Sequence, residues 1–291
     1  MNILGHEKTL KHLLQLAASN KLPHALLFCG PEGIGKSLVA LHFVQKMFCA
    51  GSEPCQKCPT CLRVQEKNHP DLLWIEPEKE VIKIEKVRQM KQWLSLKPLE
   101  ACRKIIILRD AHALPPAAAN ALLKILEEPP SDVLIILITA FPNALLKTIL
   151  SRAQKIYFQP LSPNQTAQVL ALKNHVPNSE LLRTHALSPG QWLSLKSEAL
   201  ELIEKQILPA LNSKPRQLLQ LLNVAQEISG DAETEKSVLT LLLWEWRKRI
   251  LQNPCAENLE KFQCIGLSLK RLDRYANALL TFENLFLKLC L

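Results

Sequence analysis

The sequence predicts an α/β domain with a mostly parallel sheet over residues 1–160, followed by an all-helical region. Up to about residue 160, short apolar runs alternate with helical patterns, and this alternation is typical of a parallel sheet covered by helices on both faces. After "QPLSP" (159–163) the strand signals stop. From there on the chain is rich in Leu, Ala, Gln, Glu and Lys, with Pro or Gly breaks that separate helices.

The elements of the first region follow from their composition and spacing. Short apolar runs bounded by turn residues favour strands, whereas longer segments with helical spacing favour helices. Strands are predicted at 24–30, 71–76, 104–109, 133–140 and 155–158, and helices at 36–48, 87–96 and 116–128.

The helical region is predicted to divide in two. Breaks fall at residues 177, 189–190, 209, 215, 230 and 254. One break near 205–215 predicts a small helical domain over 161–208 and a C-terminal helical bundle over 209–291.

Charge and hydropathy narrow the kinds of protein this can be. The formal net charge is +9, and residues 1–160 carry 21 of the 36 Lys and Arg but 14 of the 27 Asp and Glu. This basic excess suits contact with a phosphate backbone or an acidic partner, although an excess of this size also simply aids solubility. With no signal-peptide pattern and no apolar run of membrane-spanning length, the sequence predicts a cytoplasmic protein without a membrane partner.

The stretch "GPEGIGKS" fits a phosphate-binding loop, G-x-x-x-x-G-K-[ST], between a predicted strand and a predicted helix. Gly30, Gly33 and Gly35 would let backbone N–H groups turn toward phosphate oxygens at the helix N-terminus. Lys36 would reach the β- and γ-phosphates of ATP, and Ser37 would ligate Mg²⁺. The alternative is a relic loop that no longer binds nucleotide.

Four of the nine cysteines lie close together in the sequence. Cys49, Cys55, Cys58 and Cys61 follow C-x5-C-x2-C-x2-C, a spacing at which four thiolates can hold one structural zinc ion. An iron–sulfur site with the same ligands is the rival interpretation. The remaining cysteines are predicted as core residues: Cys29, Cys102, Cys255, Cys264 and Cys290.

Two sites bear on nucleotide hydrolysis. The strand at 104–109 ends in Arg109-Asp110, where nucleotide-hydrolysing proteins with such a loop carry an acidic pair for magnesium and water. Arg109 would repel the metal there, unless Asp110 compensates from a shifted register.

Ser151-Arg152 is predicted on the surface at a helix–strand junction. Arg152 is there either solvated or a guanidinium that reaches a neighbouring subunit's γ-phosphate.

Taken together, the motifs resemble the clamp-loader subunits of the AAA+ family, and among these the delta-prime type. The resemblance rests on "ILGHEKTL", "LPHALLFCGPEGIGKS", the four-cysteine insert, "AAANALLKILEEPP" and "LSRA", and it covers residues 1–160. It implies a helical lid (161–208), a collar domain (209–291) and zinc on the four cysteines (49–61). It also implies a stator beside ATP-hydrolysing gamma/tau subunits, with Arg152 and Ser151 completing a neighbour's ATP site. The implied partners are the gamma/tau and delta subunits, the sliding clamp and primer–template DNA.

The chain departs from the family pattern at two positions. Ala153 stands where the family usually has a cysteine, and Gln191 where relatives commonly carry a phosphate-sensing arginine. Together with Arg109, Gln191 predicts a subunit that is not itself a competent ATPase, and leaves ATP binding open.

The sequence leaves other functions open. An ATP-hydrolysing gamma/tau-type motor is the main alternative, followed by a small-molecule kinase and a zinc-dependent DNA-binding module. Lys124 is either a DNA contact or the partner of Glu128 on the same helix.

Overall fold

The computed structural model describes residues 3–19, 21–51, 54–78, 81–130, 132–173, 187–213, 217–273 and 276–290. The chain forms two compact units, Met1–Val169 and Leu170–Leu291.

The first unit contains a five-stranded parallel sheet in the order β2-β3-β4-β1-β5. All five predicted strands are confirmed, each within two residues of its predicted bounds. The strands are β1 (Ala25–Cys29), β2 (Leu72–Ile75), β3 (Lys104–Leu108), β4 (Val133–Thr139) and β5 (Gln154–Tyr157). Every residue of β1, β3 and β4 is buried, as expected of parallel strands covered on both faces.

Helices cover both faces of this sheet. Along β1, Leu27 packs in one apolar cluster while Leu26 and Phe28 pack in another, because successive side chains point to opposite faces. The helices of this unit are α1 (Glu7–Ala18), α2 (Lys36–Phe48), α3 (Pro59–Gln65), α4 (Ile84–Leu94), α5 (Pro116–Glu127), α6 (Lys147–Leu150) and α7 (Pro163–Ala171), which continues into the second unit. Two 3₁₀ turns, Ala111–Ala113 and Pro142–Ala144, follow β3 and β4.

The described part of the second unit is entirely helical. Its helices are Pro189–Ser194, Ser197–Leu202, Leu208–Asn212, Leu218–Ile228, Ala232–Gln252, Ala256–Asp273 and Ala278–Cys290. A π-helical segment, Ile203–Ile207, makes the run from 197 to 212 continuous. The predicted boundary between residues 208 and 209 falls inside this run, and the division into lid and collar stays a prediction. The predicted break at residue 177 lies outside the described residues.

Within the described ranges, no helix combines the length and the apolar character needed to cross a membrane.

Candidate functional site

The phosphate-binding loop lies at the carboxyl end of β1, immediately before α2. Gly33 and Gly35 adopt φ angles of +74° and +101°, left-handed backbone that residues with a Cβ rarely adopt. Gly35 caps the N-terminus of α2 in this conformation. The two glycines therefore turn the backbone so that α2 starts directly behind the loop, which is the arrangement that binds phosphate at a helix N-terminus.

Gly30 is required by close packing. A Cβ built on Gly30 would lie 2.5 Å from the backbone oxygen of Phe158 and 3.0 Å from Cδ1 of Ile34. Phe158 follows β5, and its N–H donates to the carbonyl oxygen of Cys29 (2.7 Å). The loop is thus held against the end of the edge strand, with no room for a side chain.

We expect Gly30→Ala to destabilise the first unit by about 1–3 kcal/mol, because backbone or core must shift to admit the methyl group. Chemical denaturation followed by circular dichroism measures the change. Gly266→Ala is the control: its added Cβ meets nothing nearer than 3.9 Å, and in a helix it should be neutral or stabilising by up to about 1 kcal/mol. Equal stability of Gly30→Ala and the wild type would contradict the packing argument.

Lys36 is buried beneath the loop. Its Nζ donates to the carbonyl oxygens of Gly30 (2.7 Å) and Pro31 (2.6 Å). Burial lowers the pKa of Lys36, while the carboxylates of Asp110 and Glu32 oppose that effect. The Nζ atom of Lys36 therefore lies inside the curve of the loop, where it contacts two of the loop's carbonyl oxygens.

His6 supports the same loop, a role that the sequence did not reveal. It is buried, donates from Nε2 to the carbonyl oxygen of Ile34 (2.8 Å), and meets the ring of Phe158 edge-on at 5.1 Å between centroids. Burial lowers its pKa, which favours the neutral ring. The only signal in the sequence was the position of His6 within "ILGHEKTL".

The acidic group at the end of β3 is paired with Arg109. The Nε of Arg109 lies 3.2 Å from Oδ2 of Asp110, and its Nη1 lies 3.7 Å from Oε2 of Glu76. Asp110 itself is in the left-handed region (φ +51°). The guanidinium of Arg109 therefore pairs with the Asp110 carboxylate, and poor hydrolysis of ATP by this chain stays a prediction.

A cavity of about 400 Å³ opens at the carboxyl edge of the sheet, lined by residues that include Glu32, Asp110, His112 and Phe141. Beside it, Thr139 ends β4, with its Oγ1 3.2 Å from Nδ1 of His112 and accepting from the N–H of Phe141 (3.0 Å). Sequence reasoning missed Thr139 and His112. The available signal was a polar residue at the end of an otherwise aliphatic strand.

The four clustered cysteines converge as predicted. Their Sγ atoms all lie within 4.8 Å of one another, with 3.8 Å between Cys49 and Cys55 and 3.9 Å between Cys55 and Cys61. A tetrahedral ion with metal–sulfur bonds of about 2.3 Å separates its ligands by about 3.8 Å. In a polynuclear iron–sulfur cluster the thiolates bind different irons and stand farther apart. The cluster therefore fits a single tetrahedral ion such as zinc.

Local structure shifts the pKa values of these thiols in opposite directions. Backbone N–H groups of Lys57 and Cys58 lower the pKa of Cys55 to about 6, whereas burial raises the pKa of Cys61 to about 12. Cys58 caps α3, with its Sγ accepting from the N–H of Cys61.

The cysteine cluster is anchored to the helix that starts at the phosphate loop. Cys49 directly follows α2, and the buried Gln45 of α2 donates from Nε2 to the carbonyl oxygen of Cys61 (2.9 Å). Of the five other cysteines, Cys29 is buried as predicted, but Cys102 is exposed. The core prediction for Cys102 was wrong, because it lies in the surface loop before β3.

Ser151-Arg152 lies at the junction between α6 and β5, as predicted. The Nη1 of Arg152 donates to the carbonyl oxygen of Thr148 (3.1 Å), and its Nη2 lies 2.9 Å from Oε1 of Glu127. The Ser151 hydroxyl donates to the same Thr148 oxygen (3.0 Å). Ala153, next in sequence, is buried in the core, so the arginine projects from a fixed point on the surface.

The structure does not bring Arg152 together with the phosphate loop of its own chain. β5 runs parallel to β1, with Gln154 paired to Leu26. Arg152 therefore precedes the amino end of the strand, whereas the loop follows the carboxyl end, and the paired strands alone separate these levels by about 13 Å. In one chain the two elements therefore lie at opposite ends of these two neighbouring strands.

Gln191 is used locally. It forms a capping box with Ser188: its Oε1 accepts from the Ser188 N–H (3.0 Å), and its own N–H donates to the Ser188 hydroxyl (3.3 Å). The side chain thereby starts the helix Pro189–Ser194, which gives this glutamine a structural role.

Comparison with known proteins identifies the family. The model of a family described as "DNA polymerase III, delta subunit" matches residues 5–162, which is just over half of the 291-residue chain. The chain belongs to this family of clamp-loader-type subunits.

The chain is similar to two types of DNA polymerase III subunit, delta-prime and tau/gamma. The chain is 40% identical over 158 residues to the delta-prime subunit of Bacillus subtilis, covering 54% of this chain and 48% of the relative. It is 31% identical over 243 residues to delta-prime of Pseudomonas aeruginosa, covering 80% and 71%. With the tau/gamma subunit of Haemophilus influenzae it shares 30% identity over 217 residues, covering 71% and 31%. The chain thus spans about half the length of the Bacillus delta-prime protein and less of the Haemophilus protein.

A solved structure shares the fold. A gamma subunit-related protein of DNA polymerase III from Thermotoga maritima matches with a TM-score of 0.57 at 21% identity, covering 94% of this chain and 97% of the other. The predicted fold class, an AAA+ α/β domain followed by a helical region, is confirmed.

Proposed function

We propose that this chain is the stator of a DNA polymerase III clamp loader and supplies Arg152 to the ATP site of a neighbouring subunit. The observation that carries the proposal is the position of Arg152, which lies at the surface and at the amino ends of the strands, whereas its own phosphate loop lies at their carboxyl ends. A guanidinium there has no access to nucleotide bound in cis. It suits phosphate on another subunit, because Arg presents a planar fork of donors.

Two further features support a stator over a motor. Arg109 is paired with Asp110, which follows β3, and with Glu76, which follows β2, and the Gln191 side chain caps its own helix. The proposed partners are gamma/tau and delta subunits, the sliding clamp and primer–template DNA. Lys124, exposed on α5, stays a candidate for DNA contact.

The four-cysteine cluster is proposed as a structural zinc site. All four ligand positions are filled by thiols, which leaves no open coordination position for chemistry. The ion would fasten the segment 49–61 to the end of α2.

The loop residues Gly30, Gly33, Gly35, Lys36 and Ser37 are proposed to bind ATP without turning it over. Bound nucleotide would contribute its phosphates as a ligand for the α2 N-terminus. We expect the isolated chain to bind a fluorescent ATP analogue. Lys36→Met should weaken this binding about tenfold or more, because a charge-assisted contact with phosphate is lost. Lys46→Met, on the same helix, should bind the analogue with normal affinity. Fluorescence anisotropy measures the affinity. Equal affinity of Lys36→Met and the wild type would show that the loop does not hold the phosphates.

The second candidate is an ATP-hydrolysing motor of the gamma/tau type. The observation that favours it is the complete loop together with the 30% identity to a tau/gamma subunit. Steady ATP hydrolysis by the isolated chain, stimulated by primed DNA, would establish this candidate.

Reconstitution tests the proposed function. ATP turnover by gamma/tau-type subunits with delta, clamp and primed DNA is measured with and without this chain. The proposal requires that the chain by itself hydrolyses no ATP and that its addition raises turnover by the others. If addition leaves turnover unchanged while the assembly forms, the catalytic part of the proposal fails.

A further inference from the structure

The partner of Arg152 within its own chain is Glu127, the last residue of α5. The two side chains meet with 2.9 Å between Nη2 and Oε1, and they are 36% and 49% exposed. The contact is between residues 25 positions apart in sequence, so the fold, not local spacing, brings them together.

The backbone on both sides of this contact is fixed. Ile149 of α6 and Ala153 are buried in the same apolar cluster as Leu122 and Leu126 of α5. Because both elements are set in one core, the two side chains reach each other without any rearrangement. The ion pair is therefore the resting arrangement of the surface from which Arg152 projects.

The other contacts of the guanidinium come from neutral oxygens. Nη1 donates to the carbonyl of Thr148 (3.1 Å) and lies 3.5 Å from the Ser151 hydroxyl. Glu127 thus supplies the negative charge in the described surroundings of Arg152. A phosphate arriving at the same guanidinium would meet a carboxylate at Nη2, and two anions on one fork repel each other.

We propose that Glu127 is a positioning residue that holds Arg152 in cis and is exchanged for the neighbour's phosphate when the subunits engage. The proposal rests on the proposed function, since it needs Arg152 to act in trans. An exposed ion pair is weak and easily exchanged, whereas a bidentate Arg–phosphate contact is stronger. This Glu127–Arg152 ion pair, called the latch below, therefore slightly slows engagement of the neighbouring subunit. It keeps the guanidinium ordered until a phosphate replaces the carboxylate.

The test uses the reconstituted loader with Glu127→Gln, which removes the charge and keeps the shape. We expect kcat/KM for ATP to rise about two- to fivefold, the amount by which an exposed ion pair biases an equilibrium. Glu128→Gln is the matched control, because it removes the same charge one residue away and should behave as wild type. The gain in kcat/KM should shrink as ionic strength rises, because salt weakens the exposed Glu127–Arg152 pair of the wild type and so reduces its difference from the variant. A purely structural effect of the substitution would not depend on salt in this way.

Three outcomes would overturn the latch. Glu127→Gln could match the wild type, it could lower turnover because Glu127 orients the arginine productively, or it could raise turnover equally in an Arg152→Ala background. The Arg152→Ala single variant keeps the two proposals apart. If Arg152→Ala alone performs as wild type, the proposed function fails whatever Glu127 does. If Arg152→Ala is impaired and Glu127→Gln is silent, only the latch fails.

Discussion

Arg152→Ala should lower ATP turnover at the neighbouring site by about 10³-fold or more, within the range known for arginine fingers supplied in trans. The physical reason is that the guanidinium stabilises charge that develops on the transferred phosphoryl group, where water and a methyl side chain offer no fixed positive charge. Because a loader holds several ATP sites, single-turnover measurements on a mixed assembly with one active motor subunit give the cleanest value.

Two control variants sharpen the Arg152 experiment. Arg152→Lys keeps a positive charge but loses the planar fork, and it should recover only a small part of the rate. Lys155→Ala removes an exposed cation three residues away on β5 and should leave turnover unchanged. Gel filtration shows whether each variant still assembles. A fully active Arg152→Ala that assembles normally would reduce the role of this chain to scaffolding.

Cys58→Ser should remove the bound metal and lower the melting temperature of the first unit by about 8–16 °C. A ligand present at about 1,000 times its dissociation constant stabilises a fold by about 4 kcal/mol, and 1 kcal/mol corresponds to about 2–4 °C in a unit of this size. Serine is the informative replacement, since Cys58 caps α3 and a serine hydroxyl can keep that cap. The loss is then assigned to the metal and not to the helix.

Metal content and melting are measured together in the zinc experiment. The wild type should carry one zinc per chain by elemental analysis, and a chelator should bring its melting curve to that of Cys58→Ser. Cys102→Ser is the matched control, because Cys102 is an exposed thiol outside the cluster and should retain both zinc and stability. A Cys58→Ser protein that still holds one zinc would show that the four thiols are not the ligand set.

The sequence by itself determined the strands, the phosphate loop and the cysteine cluster. Each of these is local: β1, β3 and β4 are mainly aliphatic, the loop needs glycine at three positions within six residues, and the cysteines are at most six residues apart in succession. Spacing therefore carried enough information for these elements, and the resemblance of "NALLKILEEPP" and "LSRA" to clamp-loader subunits added the expected role of Arg152.

Contacts between residues that are distant in sequence were determined only by the tertiary structure. The parallel pairing of β5 with β1 placed Arg152 at the amino ends of the strands, away from the loop at their carboxyl ends, and packing of α5 against α6 brought Glu127 to it. His6 reached the loop from 28 residues away, and Glu76 reached Arg109 from another strand. The prediction that Cys102 is a core residue failed for the same reason. Burial and pairing depend on contacts between distant segments, and no periodicity along the chain records which segments those are.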